Sequence, residues 1–432
     1  MPTAPGATAR EVSIPYGEGR RVTLRIPASH PLDVLTPKAV APAPEPMAVI
    51  RRALEQPLET PPLRELARGR REVVIVVDDL TRLTPVPLIL PLLLEELARA
   101  GVREEQVTVL VALGTHRPMT EAELRARVGE ETWQRVPVLN HAHWEPDALV
   151  ERGVTENGTP VVLNRRVWEA DLVLGVGSVF PHHIAGYSGG SKIIQPGVSG
   201  ARTTAATHLL STRTRRSYLG MRDNVVRREM DAVAAAAGLE AVFNSVLTSQ
   251  GGLVDAFFGA PTAVLRAATL RADAIYGIPF AHQAEVVVAG TYPADLEFWQ
   301  AHKALYAADI VTRTGGTLIV VTPCPEGLAR THPELVHLAG LPRAQVERLV
   351  DADQVEDRVA AGAAIAWAQV KERVGVSLVS EGIPPEVARA VGFTPFASAQ
   401  EALEEALGRH GPEARVAVIP YAPECLPLPL KR

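Results

Sequence analysis

Val73-Val74-Ile75-Val76-Val77-Asp78-Asp79-Leu80-Thr81-Arg82-Leu83-Thr84-Pro85 is the stretch on which the fold turns. Five β-branched residues in unbroken succession carry no polar alternation, which is the pattern of a strand covered on both faces. The run then ends abruptly in two aspartates, so a buried strand gives way to a polar loop. Val107 to Leu113 repeats the pattern and ends in Gly114, and Leu172 to Val176 runs into a glycine-rich segment that starts at Gly177. Between the first two runs, Leu88 to Ala100 predicts a helix closed by Gly101, giving a strand, helix, strand unit of crossover length. Polar loops at the carboxyl ends of parallel strands are where open α/β sheets bind ligands.

Outward from this core, Glu11 to Pro27 alternates apolar and polar residues around Gly17, Glu18 and Gly19, as a β-hairpin does, and Pro37 to Pro46 is an extended connector. The second half predicts strands at Glu285 to Ala289, Thr317 to Val321, Gly375 to Val379 and Arg415 to Ile419. Helices are predicted at Leu296 to Ala308, Arg343 to Asp351, Arg358 to Val374 and Ala399 to Gly408. A chain of 432 residues exceeds one compact core. The expected fold class is therefore α/β, with two α/β domains and mainly parallel sheets. Residues 1–283 form an N-terminal catalytic and cofactor-binding domain and 284–410 a C-terminal domain, while 411–432 make a final strand and tail packing back on the first.

The formal net charge of -5 leaves no basic footprint for nucleic acid. Cys324 and Cys425 are the only cysteines, too few for a disulfide scaffold or a four-thiolate metal site, and they suit a reducing compartment. No signal-peptide run opens the chain, and its most apolar stretch, Val86 to Leu94, holds two prolines and runs into Glu95 and Glu96. A cytoplasmic protein with no membrane span is expected. Of 44 basic side chains only Lys38, Lys192, Lys303, Lys371 and Lys431 are lysine. A lysine inside a motif therefore suggests a task for a primary amine, such as amide or imine formation, against the alternative of a drifted surface residue.

Three motifs sit at the strand ends. In the first, Asp78 and Thr81 suit helix capping, whereas Arg82 is placed to grip a carboxylate or phosphate with two parallel hydrogen bonds. In the second, Gly114-Thr115-His116-Arg117-Pro118, His116 titrates near neutrality and can pass a proton either way, or is a solvated loop residue; Thr120 and Glu123 make a capping box. The third runs from Gly177 through His182, His183, Gly186, Gly189 and Gly190 to Lys192, and on to His208. Its glycines would let backbone amides approach a phosphate, yet it lacks the GKS or GKT ending of a Walker loop and the third glycine of a dinucleotide fingerprint. A mobile glycine-rich lid is the bland alternative. In an extended segment His182 and His183 would point in opposite directions. In the second half Gln300 and Lys303 fall three apart, on one helical face, where they could close on a carboxylate or simply lie exposed.

Together DDLTRLTP, GTHRP, PHHIAGYSGGSK, a histidine sixteen residues beyond the lysine, and QxxK resemble the lactate racemase family, in this order and spacing from Asp78 to Lys303. The resemblance implies two α/β domains with the active site in the cleft between them. It also implies a cofactor that is a nickel-pincer pyridinium mononucleotide bearing a thioamide and a thiocarboxylate. By motif position Lys192 forms the covalent link, His208 ligates nickel, and His116 and His182 are catalytic acid/base residues. Asp79, Gly189 and Gly190 bind cofactor, Arg82, Gln300 and Lys303 bind substrate, and Trp367 matches a tryptophan near the cofactor. The implied partners are a small-molecule 2-hydroxy acid and the cofactor-synthesis enzymes. His183 and Ser191 depart from the pattern and bear on substrate preference.

The chemistry agrees with these roles. The α-hydrogen of a hydroxy carboxylate is weakly acidic because the ionised carboxylate resists a second negative charge, and removal as hydride avoids that carbanion. A phosphate-anchored transferase or lyase of the same fold, or a noncatalytic carboxylate-binding protein, is the alternative.

Overall fold

The computed structural model describes residues 9–214 and 216–430. The chain divides into two compact units, one from Ala39–Thr214 and Tyr218–Ile275, the other from the described residues of Met1–Lys38, Arg215–Ser217 and Tyr276–Arg432.

In the first unit the quoted stretch is the strand Val73–Asp78, fourth in a six-stranded sheet. The order is Leu253–Gly259, Leu239–Leu247, Leu172–Ser178, Val73–Asp78, Val107–Ala112, Val138–Asn140. All neighbours are parallel except the first pair. Alternation within the central strand explains its unbroken apolar run. Val73, Ile75 and Val77 pack with the helices Pro46–Glu55 and Val86–Arg99 on one face, while Val74 and Val76 pack with Val233, Ala234 and Val264 on the other. Helices thus cover both faces, and only the strand ends are left for polar chemistry.

The second unit holds another six-stranded sheet, parallel throughout, in the order Thr394–Phe396, Gly375–Val379, Thr312–Val321, Ala284–Gly290, Val416–Ile419, Leu32–Val34. The expected mainly parallel α/β class is what forms. The expected domain boundaries differ from this division in two places. Leu32–Val34 adds to the edge of the second sheet beside Val416–Ile419, and the hairpin Arg10–Pro15 with Arg21–Ile26 buries Ile14, Leu24 and Ile26 with Val286 and Ile319. The start of the chain therefore belongs with its end. The final segment Leu426–Pro429 does pack on residues of the expected 1–283 domain, pairing with Gly277–Phe280, but that stretch itself belongs to this second unit. The pairing of Leu32 with Val416 spans nearly four hundred residues and leaves no local signature, so chain order misplaced the opening segment.

Among the described residues no helix is long and apolar enough to cross a membrane.

Phe243 lies fully buried in Leu239–Leu247, in the core shared with the central strand. Phe243→Ala is expected to destabilise its unit by about 3–5 kcal/mol, seen as a lower urea midpoint for that unit's transition with far-UV circular dichroism unchanged before it.

Candidate active site

Val107–Ala112, Val73–Asp78 and Leu172–Ser178 are adjacent and parallel, so the segments that follow them leave from one edge of the sheet. Asp79 is buried there. Its Oδ1 accepts hydrogen bonds from Thr81 N at 3.1 Å and Thr81 Oγ1 at 2.5 Å, and its Oδ2 lies 2.5 Å from Nδ1 of His116. Burial pulls the carboxyl pKa upward. The charge and hydrogen bond of His116, then Arg82 and Thr81, outweigh it and hold Asp79 well below the usual carboxylate range. An ionised carboxylate only accepts, so Nδ1 of His116 carries hydrogen and the basic lone pair falls on Nε2. Both Asp79 oxygens thus make hydrogen bonds inside the protein, and one of them holds the His116 ring.

The neighbouring Asp78 faces another way. Its Oδ1 pairs with Nη2 of Arg127, and its Oδ2 accepts from Thr84 Oγ1 at 2.6 Å. Burial raises the Asp78 pKa against the opposing pull of Arg127 and Thr84. Arg127, from the helix Glu121–Val128, also donates to the carbonyls of Asp78, Arg82 and Thr84 at 2.8, 3.0 and 3.1 Å. One guanidinium therefore shapes the whole DDLTRLT loop. Neither Asp78 nor Thr81 caps the following helix, whose cap position is Pro85 without a side-chain bond. Arg82 donates to Thr81 Oγ1 at 2.7 Å, and its guanidinium carbon stands 5.5 Å from the Phe180 ring centroid. The capping box of Thr120 and Glu123 forms as read.

The glycine-rich segment is a built loop and not a lid. Residues 177–191 are buried apart from the half-buried Gly189. Pro181–His182 pairs antiparallel with Gly186–Tyr187, and a short turn at Gly190–Ile193 carries Lys192. Arg227, buried on the helix Val225–Ala236, donates to the carbonyls of Gly189 at 3.2 Å, Ala185 at 3.4 Å and Tyr187. Asn244 Oδ1 accepts from the amide of Gly190 at 2.8 Å. Gly189 has φ +80, and a Cβ there would meet Val179 Cγ2 at 2.5 Å and Asn244 Oδ1 at 2.7 Å, so only glycine fits. Gly189 and Gly190 let the loop fold this tightly, and the Gly190 amide donates to Asn244.

His182 and His183 do not point in opposite directions. Their rings stack with centroids 4.8 Å apart at 20°, because the chain turns at Ile184 and Ala185 instead of staying extended. Nδ1 of His182 accepts from the amides of Ile184 at 3.2 Å and Ala185 at 3.4 Å.

Lys192 is partly buried among these groups. Desolvation first, then the like charges of Arg82 and Arg227, push its pKa down to about 7, while Asp79 and Asp78 offset part of the fall. About half the amine is therefore uncharged near neutral pH, the state in which it is a nucleophile. His208 lies on the helix Ala201–Ser211 with Nδ1 2.8 Å from the Thr204 carbonyl oxygen, which places hydrogen on Nδ1 and a lone pair on Nε2. The turn before that helix is tied by buried His141, 3.0 Å from the Ser199 carbonyl, whose pKa burial pushes down to about 4.

In the other unit the expected helix at Leu296 to Ala308 breaks at His302 into Phe298–Ala301 and Lys303–Val311. Gln300 and Lys303 are buried rather than exposed, and Lys303 Nζ donates to Gln300 Oε1. Trp367 is fully buried and donates to Nδ1 of His302 at 2.8 Å. Among the described residues no group of three or more His, Cys, Asp and Glu side chains is placed to hold a metal ion.

The structure thus gathers Asp79, Arg82, His116 and Lys192 in one unit, with His182 on the loop that carries Lys192. Sequence reasoning missed Arg127, Arg227 and Asn244. Asn244 left a signal, since Asn244 and Ser245 together interrupt the apolar residues of Ala241 to Leu247. The two arginines left none, because their partners, backbone carbonyls and for Arg127 also the Asp78 carboxylate, lie far away in the sequence.

Residues 16–220 match the family description "Lactate racemase N-terminal domain" and residues 280–422 match "Lactate racemase C-terminal domain". The chain belongs to the lactate racemase family. With it the chain takes its place among the isomerases. A protein named lactate racemase from Lactiplantibacillus plantarum is 27% identical over 379 residues, covering 86% of this chain and 88% of the relative. Another from Thermoanaerobacterium thermosaccharolyticum is 30% identical over 285 residues, 65% of this chain and 66% of the relative. The solved structure of the lactate racemase apoprotein from the latter organism aligns with a TM-score of 0.85 and 25% identity, over 97% of this chain and all of that one. A protein from Thermotoga maritima shares the fold at TM-score 0.67 and 20% identity, over 85% of this chain and 97% of its own.

The Lys192 amine is expected to acylate with a pH midpoint near 7. Peptide mapping after brief treatment with an amine-selective reagent from pH 6 to 9 measures this. Labelling should rise as pH passes 7, because the neutral form grows in that direction.

Proposed function

We propose that this member of the lactate racemase family inverts the hydroxyl-bearing carbon of a 2-hydroxy acid, lactate or a related acid. It does so by reversible hydride transfer, using a nickel-pincer pyridinium mononucleotide joined covalently to Lys192. The observation that carries this reading is a depressed-pKa lysine in the same unit as a carboxylate-backed histidine, both on loops from one edge of a parallel sheet. When bound, the cofactor supplies a hydride acceptor together with the sulfur and carbon donors of nickel.

The residues present suit that group. An uncharged Lys192 amine is the form that makes a thioamide bond. His208, with hydrogen on Nδ1, offers Nε2 as a single protein donor to nickel. No other protein ligand cluster is needed if the remaining donors come from the cofactor. His116 and His182 handle the substrate hydroxyl, with Asp79 holding His116 in the tautomer that leaves Nε2 basic. Arg82 holds the substrate carboxylate by charge-assisted hydrogen bonds, and Gln300 and Lys303 are further substrate-binding residues by motif position. Gly189 and Gly190 act on the cofactor through the shape they give the Lys192 turn. A pre-made cofactor implies the enzymes that synthesise it as partners, and the two buried free thiols suit the cytoplasm. The reading of the loop as a phosphate cradle loses support because Asn244 occupies the Gly190 amide.

Protein produced alongside the cofactor-synthesis enzymes should show a mass increment confined to the Lys192 peptide, and chiral chromatography should show interconversion of at least one 2-hydroxy acid. Deuterium at the α-carbon should be retained in the product; its loss to solvent would point to proton abstraction. Unmodified Lys192 in active protein would end the proposed tether. His208→Ala should keep the increment yet lose nickel by at least about tenfold, measured by elemental analysis.

A further inference from the structure

Gln300 sits on a helix of a single turn, Phe298–Ala301, and Lys303 opens the next helix after the break at His302. One helical turn does not hold itself in water, so its position must be set from outside. Two backbone bonds tie it to the loop after the strand Thr312–Val321: Phe298 N donates to the Gly327 carbonyl at 2.9 Å and Trp299 N to the Leu328 carbonyl at 2.8 Å. Side chains do the rest. The Trp299 ring stacks on His332 with centroids 4.1 Å apart at 28°, and its centroid lies 6.0 Å from that of His302 at 29°.

Both histidines are held from the helix Arg358–Lys371. At its start Asp357 Oδ1 accepts from the amides of Val359 at 3.1 Å and Ala360 at 2.9 Å, while Oδ2 lies 2.6 Å from Nδ1 of His332. Burial pulls the Asp357 pKa upward, but the hydrogen bond and charge of His332, then the two amides, outweigh it and hold the carboxyl below its usual range. An ionised carboxylate only accepts, so Nδ1 of His332 carries hydrogen. Further along the same helix Trp367 donates to Nδ1 of His302 at 2.8 Å. The series Asp357, His332, Trp299, His302, Trp367 thus begins and ends on one helix and passes through the turn that bears Gln300. Trp299, His302 and His332 are all buried. Aliphatic side chains would fill that space at a lower desolvation cost, whereas polar rings with fixed partners specify one orientation.

Resting on the proposed racemase reading, we infer that His332 is a positioning residue: bonded to Asp357 and stacked on Trp299, it sets the turn from which Gln300 and Lys303 meet the substrate carboxylate. Lys303 Nζ donates to Gln300 Oε1, so the two polar ends already converge. Two donors grip one carboxylate only while their separation is fixed, and a turn that rocks at the His302 break would spread them. Loosening the turn therefore weakens substrate binding and leaves the chemical step to residues that lie elsewhere.

The test begins with the full chain free of cofactor. Hydrogen–deuterium exchange is compared between the parent, His332→Ala and His332→Phe, over the peptide of residues 296–306 and over the helix Arg343–Asp351 as a control. Alanine removes the stack and should speed exchange in residues 296–306 by about tenfold, with the control unchanged. Phenylalanine keeps a ring against Trp299 and should restore most of the protection. Unchanged exchange at 296–306 in His332→Ala would overturn the inference, and so would an equal rise in the control, which marks a general loss of packing. If His332→Ala does not fold, Asp357→Asn decides: it can still cap its helix, and exchange at 296–306 should rise, while no rise would overturn the inference.

In cofactor-loaded enzyme assayed with lactate, His332→Ala should raise KM about tenfold and leave kcat within about twofold, with His332→Phe close to the parent. A fall in kcat at constant KM would count against a positioning role and overturn it. An active racemase whose KM ignores the loss of His332 sinks this inference alone, whereas a loaded parent protein that inverts neither lactate nor any other 2-hydroxy acid sinks the functional reading instead.

Discussion

Parallel alignment of the strands Val107–Ala112, Val73–Asp78 and Leu172–Ser178 is the constraint on which the site depends. The strands are buried on both faces over most of their length, where a polar side chain would be stranded in the core. Parallel pairing also forces all three chains to emerge at the same edge. The positions just past the strand ends are thus where side-chain chemistry can be crowded at least cost to folding, and Asp79, His116 and the loop leading to Lys192 occupy them.

Crowding of that kind brings several charges into one poorly solvated place, and each has a stated compensation. Asp78 is met by Arg127 and Thr84, and Asp79 by His116 and Thr81. Arg227 has its guanidinium spread over three carbonyl oxygens. Its pKa, pushed down by burial to about 10, still leaves it charged at neutral pH. Lys192 is the group left to absorb the imbalance. It sits near two arginines, and the two aspartates that attract it are already committed to nearer partners, so its amine gives way first. The structural arginines stay cationic because guanidinium is so much harder to deprotonate than an amine.

Much of this was legible in the sequence, and the limits have identifiable causes. The apolar runs announced strands because a two-faced core demands them, and the polar segments after them announced the loops. Scarcity of lysine picked out Lys192, yet scarcity alone is no guide, since Lys371 uses its amine to bind the Val391 carbonyl at 2.9 Å. What escaped were relations between distant parts of the chain. Leu32–Val34 joins the second sheet only because Val416–Ile419 offers an edge, and Arg127 shapes the Asp79 loop through carbonyls that any residue would supply. The pair His182 and His183 was misread because alternation was assumed where the strand lasts two residues before turning. The contact of Asp79 with His116 also escaped, because the two lie 37 positions apart.

The same side chain does four different things in the first unit, and the partner at Nδ1 decides which. An ionised carboxylate at His116 leaves Nε2 basic and stabilises the ring when it gains a proton. A neutral carbonyl at His208 also leaves Nε2 with its lone pair but adds no counter-charge, a setting suited to donation toward a metal. The side-chain amide of Asn164 donates to Nδ1 of His141 at 3.1 Å while Nε2 donates to Ser199, which closes both nitrogens and leaves a structural tie. Two backbone amides at His182 likewise fix hydrogen on Nε2, but on the loop that carries Lys192. Residue identity therefore brings a histidine to the site, and its Nδ1 neighbour, set by backbone geometry that motif spacing does not encode, determines which ring nitrogen carries hydrogen and which keeps a lone pair.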